Sequence, residues 1–309
     1  MDEDIGGKRS EKIREQKTVH DSVNTWINSQ GYPLEFKTAR ILKKCGLATQ
    51  QGIHISDNGN AREIDVIANK VLLEEFSVCF EYIIECKNIS EKPWIIFDSE
   101  DYVFSESYHF RYISANILAA RALRNCLETY DFKRSRLFTF PTGFGITSMT
   151  NSGKDNSYNS VQSVCGNTLL RKELFDRIRN EKSYPIVSTI SVPLIVVEGN
   201  LFRATYDDTL DTMIATEVNT AKLLWNGSNK TDNPIIVDVV NVRFLENYIN
   251  ERIGEIDSLL AVVSTESIKQ IAFLEEYYKF HLRAPGNDAA KKREKQVDDL
   301  LNNDIKRLS

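Results

Sequence analysis

The segment SVCFEYIIECK, residues 77–87, constrains the fold of this chain more than any other stretch. Its run of apolar and aromatic residues predicts an extended strand, in which successive side chains point to opposite faces of a sheet. One face is apolar and suits a core; it carries Tyr82, Ile84 and Cys86. Glu85 and Lys87 lie two positions apart on the other face, beside Ile83. Such a charged pair is either solvated at a sheet edge or held in the interior for chemistry.

The residues before this strand predict a compact unit over 32–88. GYPLEFKTARILKKCG reads as a helix, with Pro33 in the first turn, Gly46 as the stop signal and Glu35 in the first turn, close to the apolar side. ATQQGIHIS and REIDVIA read as two short strands joined by the turn DNGN. We therefore expect one helix followed by three strands.

Helices and strands alternate in the rest of the chain, which indicates an α/β fold with a mixed central sheet flanked by helices. ESYHFRYISANILAARALRNCLETY is predicted to form one long helix, and ISVPLIVVEGNLFRATY a hairpin that turns at Gly199 and Asn200. NPIIVDVVNV is typical of a buried strand, and the chain is predicted to be mostly helical from about Arg243.

Both ends of the chain are predicted to be helical additions. Residues 1–30 form a charged segment and a helix whose apolar side is expected to pack on the body of the protein; that side carries Val19, Val23, Trp26 and Ile27. Residues 31–283 form the α/β domain with an enlarged sheet. Residues 284–309 form a linker and an amphipathic helix whose stripe needs a partner surface; the stripe contains Val297, Leu300, Leu301, Ile305 and Leu308.

Composition narrows the function classes. The 309 residues are 41% hydrophobic and 27% charged, which excludes global disorder. The formal charge of -5 excludes a protein-wide positive field, so nucleic-acid binding would need a local patch or a metal ion. Five cysteines without a CxxC spacing, no signal-peptide pattern and no apolar run long enough to span a membrane predict a cytoplasmic protein without a membrane partner.

Asp65, set in REIDVIA, repeats the anomaly of Glu85, because a carboxylate within a strand usually needs a compensating partner. A structural ion pair with Lys87 explains any two of these residues. Three or four together favour chemistry, because Asp65 and Glu85 on neighbouring strands would offer Mg²⁺ the carboxylates it prefers. Lys87 would then orient or help deprotonate a water, and Glu35 would add an outer or second metal contact.

The order Glu35, Asp65 and then Glu85-Cys86-Lys87, on helix, strand and strand, resembles the PD-(D/E)xK nuclease superfamily, whose core is that of restriction endonucleases. The segments quoted above look most similar to its Mrr-like and related branches. The resemblance covers residues 31–97. It departs from the family pattern at Ile64, which stands where the family name has proline.

The resemblance implies a catalytic set of Glu35, Asp65, Glu85 and Lys87. It further implies that Asp65 and Glu85 ligate Mg²⁺, with Mn²⁺ as a substitute, assisted by the backbone carbonyl of Cys86. The expected activity is hydrolysis of nucleic-acid phosphodiesters, with DNA favoured over RNA and endonucleolytic over exonucleolytic cleavage. Restriction or anti-phage defence is the expected setting, and a homodimer is kept as a hypothesis.

Two alternatives remain open. The first is an inactive nuclease fold that binds nucleic acid or protein without cleavage, and the second is a metal-free structural cluster in an interaction protein. An inactive binding module has no physical need for costly buried charges. A metal-free structural cluster predicts no stabilisation by divalent ions. Trp94 and Phe97, just after the lysine, are predicted to pack in the core rather than to stack on an unpaired base.

Overall fold

A computed structural model of the protein describes residues 18–57, 60–73, 77–99, 113–126, 130–131, 134–139, 143–149, 155–178, 187–225 and 234–282. Its helices are α1 (18–29), α2 (Tyr32–Lys44), α3 (Ile117–Asn125), α4 (Asn156–Ile178) and α5 (Leu245–Leu282). Its strands are β1 (Ala48–Asp57), β2 (Asn60–Leu73), β3 (Ser77–Asn88), β4 (Trp94–Asp98), β5 (Ser114–Ala115), β6 (Gly143–Ser148), β7 (Val187–Glu198), β8 (Leu201–Asp207), β9 (Thr212–Glu217), β10 (Thr220–Trp225) and β11 (Ile235–Asn241).

The predicted helix and three strands of residues 32–88 are confirmed. Pro33 lies in the first turn of α2, and Gly46 follows the helix with φ of 88°, a left-handed conformation that favours glycine. β1 pairs antiparallel with β2, and the pair nearest the turn is Asp57 with Asn60. β2 in turn pairs antiparallel with β3. Local sequence signals thus determine this part of the fold.

The three strands continue into one mixed sheet of eleven strands, in the order β1-β2-β3-β7-β11-β10-β6-β4-β8-β9, with β5 paired to β7. β3, β7 and β11 run parallel to one another and occupy its middle. β11 is buried along its whole length, as its β-branched sequence predicts. The predicted α/β class with a mixed central sheet is therefore confirmed.

Helices cover both faces of the sheet, and β3 shows how the sequence separates the two cores. Tyr82, Ile84 and Cys86 belong to a core that includes residues of α2, α3 and α5. Ile83 belongs to a second core on the opposite face, which α4 covers. The alternation predicted for residues 77–87 is observed, and Glu85 and Lys87 lie on the α4 side.

The predicted hairpin of residues 190–206 is wrong. β7 and β8 are not neighbours in the sheet, because both edges of β7 are occupied, by β3 and β11. Gly199, with φ of 137°, lets the chain pass so close to the Ile89 backbone that a Cβ would lie 2.7 Å from its carbonyl carbon. β8 then pairs with β4 and β9. Gly199 and Asn200 correctly indicated a change of chain direction, but they did not indicate which strands β8 pairs with.

The long helix predicted over residues 106–130 is also wrong within the residues that the structure describes. α3 begins only after Asn116, whose side chain caps it by accepting a hydrogen bond from Ala119 N–H at 3.1 Å. The two residues before the cap form β5 instead, which pairs antiparallel with β7. The helix therefore begins at its capping residue, and the two residues before it pair with β7 in the sheet.

The expectation that α1 packs on the body of the protein is wrong. Its apolar side chains are exposed, with 63% of Val19 and 60% of Trp26 accessible to solvent. The predicted linker and C-terminal helix of residues 284–309 lie outside the described residues. None of the helices that the structure describes is long and apolar enough to cross a membrane.

Candidate active site

Asp65 and Glu85 lie on neighbouring antiparallel strands, where the regular pairing of β2 with β3 ends. The last pair of the ladder is Val66 with Ile84, so the same register places Asp65 opposite Glu85. At this point the Cys86 N–H donates a hydrogen bond to Asp65 Oδ2 at 2.7 Å. The carboxylate therefore takes the place of a main-chain acceptor, which satisfies a donor that would otherwise lack a partner.

The pairing of β2 with β1 is irregular at the same residue. It passes from Gln51–Val66 to Ile53–Ile64 and omits Gly52, which lies opposite Asp65 in that register. Gly52 has φ of 58°, a conformation that glycine adopts without steric cost. A glycine inside a strand pattern is a common sign of such an irregularity. Both ladders of β2 are thus interrupted where the carboxylate emerges.

Glu85 is nearly buried and both of its carboxylate oxygens have partners. Lys87 Nζ lies 2.6 Å from Oε1, and Ser163 Oγ of α4 donates a hydrogen bond to Oε2 at 3.0 Å. The side chain of Glu85 is 9% exposed and that of Lys87 is 38% exposed. Lys87 is therefore the more solvent-exposed partner of this ion pair.

These side chains open into a cleft of about 500 Å³ between the sheet and α4. The sheet side of the cleft is lined by Arg62, Glu63, Asp65, Glu85 and Lys87. The helix side is lined by Asn159, Gln162, Ser163 and Asn167 of α4. The helix side is uncharged and consists of amides and one hydroxyl. The charge of the cleft therefore comes from the ends of β2 and β3.

The ionisation of Asp65 reflects this crowding of like charges. Burial, together with the negative charge of Glu85, raises the pKa of Asp65 from 3.8 to about 7. The hydrogen bond from Cys86 and the charge of Lys87 oppose this rise. A second cation near Asp65 and Glu85 would relieve the repulsion that remains.

Lys87 stays a cation in this environment. Burial alone lowers the pKa of Lys87, but its ion pair with Glu85 and the charge of Asp65 outweigh burial and raise that pKa above its ordinary value. The ammonium is therefore retained at neutral pH.

Glu35 lies at the margin of the site and does not line the cleft. Its helix, α2, packs on the opposite face of the sheet from α4. Burial raises the pKa of Glu35, and the negative charge of Glu63 adds to this effect. The Lys87 charge opposes the rise, whereas the Glu85 charge supports it. Glu35 is thus within electrostatic range of the cluster, as an outer group.

Cys86 turns its side chain away from the cleft, as the alternation predicts. Its Sγ lies 3.7 Å from Thr38 Oγ1 of α2, and burial raises the pKa of the thiol far above its ordinary value. The residue contributes to the site through its main chain, by the N–H that Asp65 accepts. The role predicted for its backbone carbonyl as a metal ligand stays a prediction.

The donor set fits a hydrated hard cation better than a closed protein cage. Among the residues described, no group of three or more His, Cys, Asp or Glu side chains is placed to hold a metal ion. Mg²⁺ commonly takes only one or two carboxylates and completes its shell with waters and substrate oxygens. Asp65 and Glu85, which share an open cleft and repel each other, meet that requirement. A structural Zn²⁺ site would need more ligands.

The residues on the helix side of the cleft were not predicted from the sequence. Asn159, Gln162, Ser163 and Asn167 recur at helical spacing, whereas Val161, Val164 and Cys165 turn to the core. This polar stripe was a usable signal, but no local pattern tied α4 to β3. The core position predicted for Trp94 is confirmed, since the residue is 1% exposed.

No protein-family model matches the chain, and no curated protein or solved structure matches it either.

Proposed function

We propose that the protein is a metal-dependent nuclease that hydrolyses phosphodiester bonds in the cleft between β3 and α4. The observation that carries this proposal is the meeting of Asp65 and Glu85 across β2 and β3, with Lys87 2.6 Å from Glu85 and the cleft open beside them. Two carboxylates and one ammonium are the groups needed to bind a divalent cation and to act on a phosphate.

The resemblance to the PD-(D/E)xK superfamily supports the same proposal. α2, β1, β2 and β3 follow one another in the predicted order, and Asp65, Glu85 and Lys87 lie together at one end of that unit. We accordingly propose a restriction-endonuclease-like core within the larger sheet. DNA is favoured over RNA, cleavage within a strand over cleavage from an end, and a role in restriction or anti-phage defence is part of this proposal.

Each side chain has a distinct task in this proposal. When bound, Mg²⁺ supplies Lewis-acid chemistry at the phosphodiester and activates a water at neutral pH. Asp65 and Glu85 hold the cation, and Ser163 fixes the orientation of Glu85. Lys87, which keeps its proton, orients the attacking water and neutralises charge that develops on the phosphoryl oxygens. Glu35 acts as the outer group.

The test is incubation of the purified protein with duplex DNA, single-stranded DNA and RNA, in Mg²⁺ or in a chelator. Closed circular and linear substrates separate internal cleavage from cleavage at ends. We expect Mg²⁺-dependent products that disappear in Asp65→Asn and Lys87→Met. Lys44→Met is the matched control, because it removes a lysine from an exposed ion pair with Glu246, away from the cleft.

Cleavage that persists in both cleft variants would refute the site assignment. Binding of nucleic acid without cleavage under every metal condition would favour the inactive binding module instead. Metal binding has an independent readout, because a cation that binds only the folded state raises the melting temperature. We expect that rise with Mg²⁺ or Mn²⁺ in the wild type and its loss in Asp65→Asn.

A further inference from the structure

An aromatic pair lies beside the cleft at the start of α4. The ring centroids of Tyr158 and Trp225 are 5.0 Å apart, and the rings meet edge to face at 68°. Trp225 is half-buried against the core beneath α4, whereas 40% of Tyr158 is exposed. The tryptophan therefore supports a tyrosine ring that stays accessible to solvent.

Gln162 connects this pair to the cleft. Its side chain lines the cleft, and its Nε2 donates a hydrogen bond to Tyr158 Oη at 3.2 Å. Gln162 follows Tyr158 by about one helical turn, so this hydrogen bond places the tyrosine hydroxyl against the amide that lines the cleft. Asn159, next to Tyr158, also lines the cleft. Tyr158 thus extends the helix side of the cleft outward.

The chemistry of this side suits an unpaired nucleobase better than a phosphate backbone. It offers neutral amides and an aromatic face, in a chain whose formal charge is -5. Phosphate recognition needs cations, whereas amides hydrogen-bond base edges and aromatic faces stack on bases of any sequence. In a duplex the Watson–Crick edges and base faces are already engaged, so only an unpaired base presents both.

We propose that the cleft binds an unpaired nucleotide whose base stacks on Tyr158 and forms hydrogen bonds with Gln162 and Asn159. Single-stranded or frayed nucleic acid is then the preferred substrate. This inference rests on the proposed nuclease function and names its substrate class. Aromatic stacking also compensates for the scarcity of cations on the helix side of the cleft.

The experiment measures binding of a fluorescent oligothymidylate and of a fluorescent mixed-sequence duplex by anisotropy in a chelator, so that cleavage does not interfere. We expect Tyr158→Ala and Tyr158→Leu to weaken single-strand binding about 10-fold and to change duplex binding by less than about 2-fold. Tyr158→Phe keeps the aromatic face and is expected to stay within about 2-fold of wild type. Tyr158→Leu also keeps apolar contact with Trp225 and guards against an effect of misfolding.

Trp225 provides a second readout. We expect the oligothymidylate to quench tryptophan emission in the wild type and to quench it much less in Trp225→Phe, since Trp94 is buried and Trp26, although exposed, does not line the cleft. Equal losses on both substrates, an unchanged affinity of Tyr158→Leu, or no single-strand binding by the wild type would each overturn the inference. If Mg²⁺-dependent cleavage still requires Asp65 in that case, the nuclease proposal stands without it. If the stacking effect appears without any cleavage, only the nuclease proposal falls.

Discussion

Two glutamates on the same face of β3, Glu81 and Glu85, meet the same helix in different ways. Glu81 is fully buried, and Arg171 of α4 binds it through Nη2 at 2.8 Å while Ser191 Oγ donates a hydrogen bond at 2.7 Å. Glu85, four residues on, meets Ser163 of α4. Both carboxylates are thus fixed from α4 at positions two helical turns apart.

The difference between them lies in their balance of charge and their access to water. The carboxylate of Glu81 has a guanidinium of its own, enclosed with it. Glu85 shares one ammonium, that of Lys87, with a second carboxylate, that of Asp65, at the wall of an open cleft. A buried acid with its own counter-charge needs only structure to explain it. Paired acids with one cation leave a negative excess that a divalent ion can fill.

The largest effect should separate the two glutamates by activity. We expect Glu85→Gln to reduce Mg²⁺-dependent cleavage by about 10³-fold or more, which corresponds to about 4 kcal/mol of transition-state stabilisation. Glu81→Gln should change the initial rate per folded molecule by less than about 10-fold. Rates normalised to the folded fraction make the comparison. A similar loss in both variants would mean that the cleft has no special role.

Stability should depend more on the counter-charge of Glu81 than on that of Glu85, the reverse of the order expected for activity. Arg171→Met leaves the Glu81 carboxylate buried without its counter-charge, so we expect the free energy of unfolding to fall by about 3–5 kcal/mol. Lys87→Met should lower it by about 1 kcal/mol or less, because Glu85 keeps Ser163 and cleft water. Urea denaturation in a chelator measures both. The double variant Glu81→Met with Arg171→Met should recover most of the loss, whereas an unrecovered loss would point to packing of Arg171 rather than to charge.

Part of the site around Glu85 could be predicted from the sequence alone. The alternation in β3 predicted which face carries Glu85 and Lys87, and the turn signals predicted that β2 returns beside β1. These are local properties, fixed by strand period and turn chemistry. Because the three strands follow one another along the chain, these properties were enough to predict that Asp65 and Glu85 lie on neighbouring strands.

Partners distant in the chain were not predictable in this way. Ser163 and Arg171 come about 80 residues or more after the glutamates they contact. The hairpin predicted at Gly199 failed for the same reason, because strands β3 and β11 had already taken both edges of β7. A periodic pattern reveals which face of an element is apolar, but not which other element covers it.

The raised pKa of Asp65 in the cleft should make the stability of the protein depend on pH. The pKa of Asp65 rises from 3.8 to about 7 on folding, so the folded state holds this proton more tightly than the unfolded state. The linked stability is complete below about pH 4 and is lost as pH rises toward 7. In a chelator, Asp65→Asn should therefore be more stable than wild type by about 2 kcal/mol at pH 8 and nearly equal to it at pH 4.5. Melting temperatures at the two pH values test this, and a destabilised variant at pH 8 would contradict the crowding of charge.

The smallest effect compares the two hydroxyls that serve these acids. Ser191 is 1% exposed, and its replacement by alanine removes a donor from a carboxylate that water cannot reach, so Ser191→Ala should cost about 1–3 kcal/mol of unfolding free energy. Ser163→Ala should cost less than about 1 kcal/mol, because Glu85 borders the cleft and water can replace the hydroxyl. Its effect should appear instead in cleavage, since a less restrained Glu85 positions the cation less well. Denaturation and rate measurements on both variants decide the matter. A larger stability loss for Ser163→Ala than for Ser191→Ala would show that the cleft is as closed as the interior around Glu81.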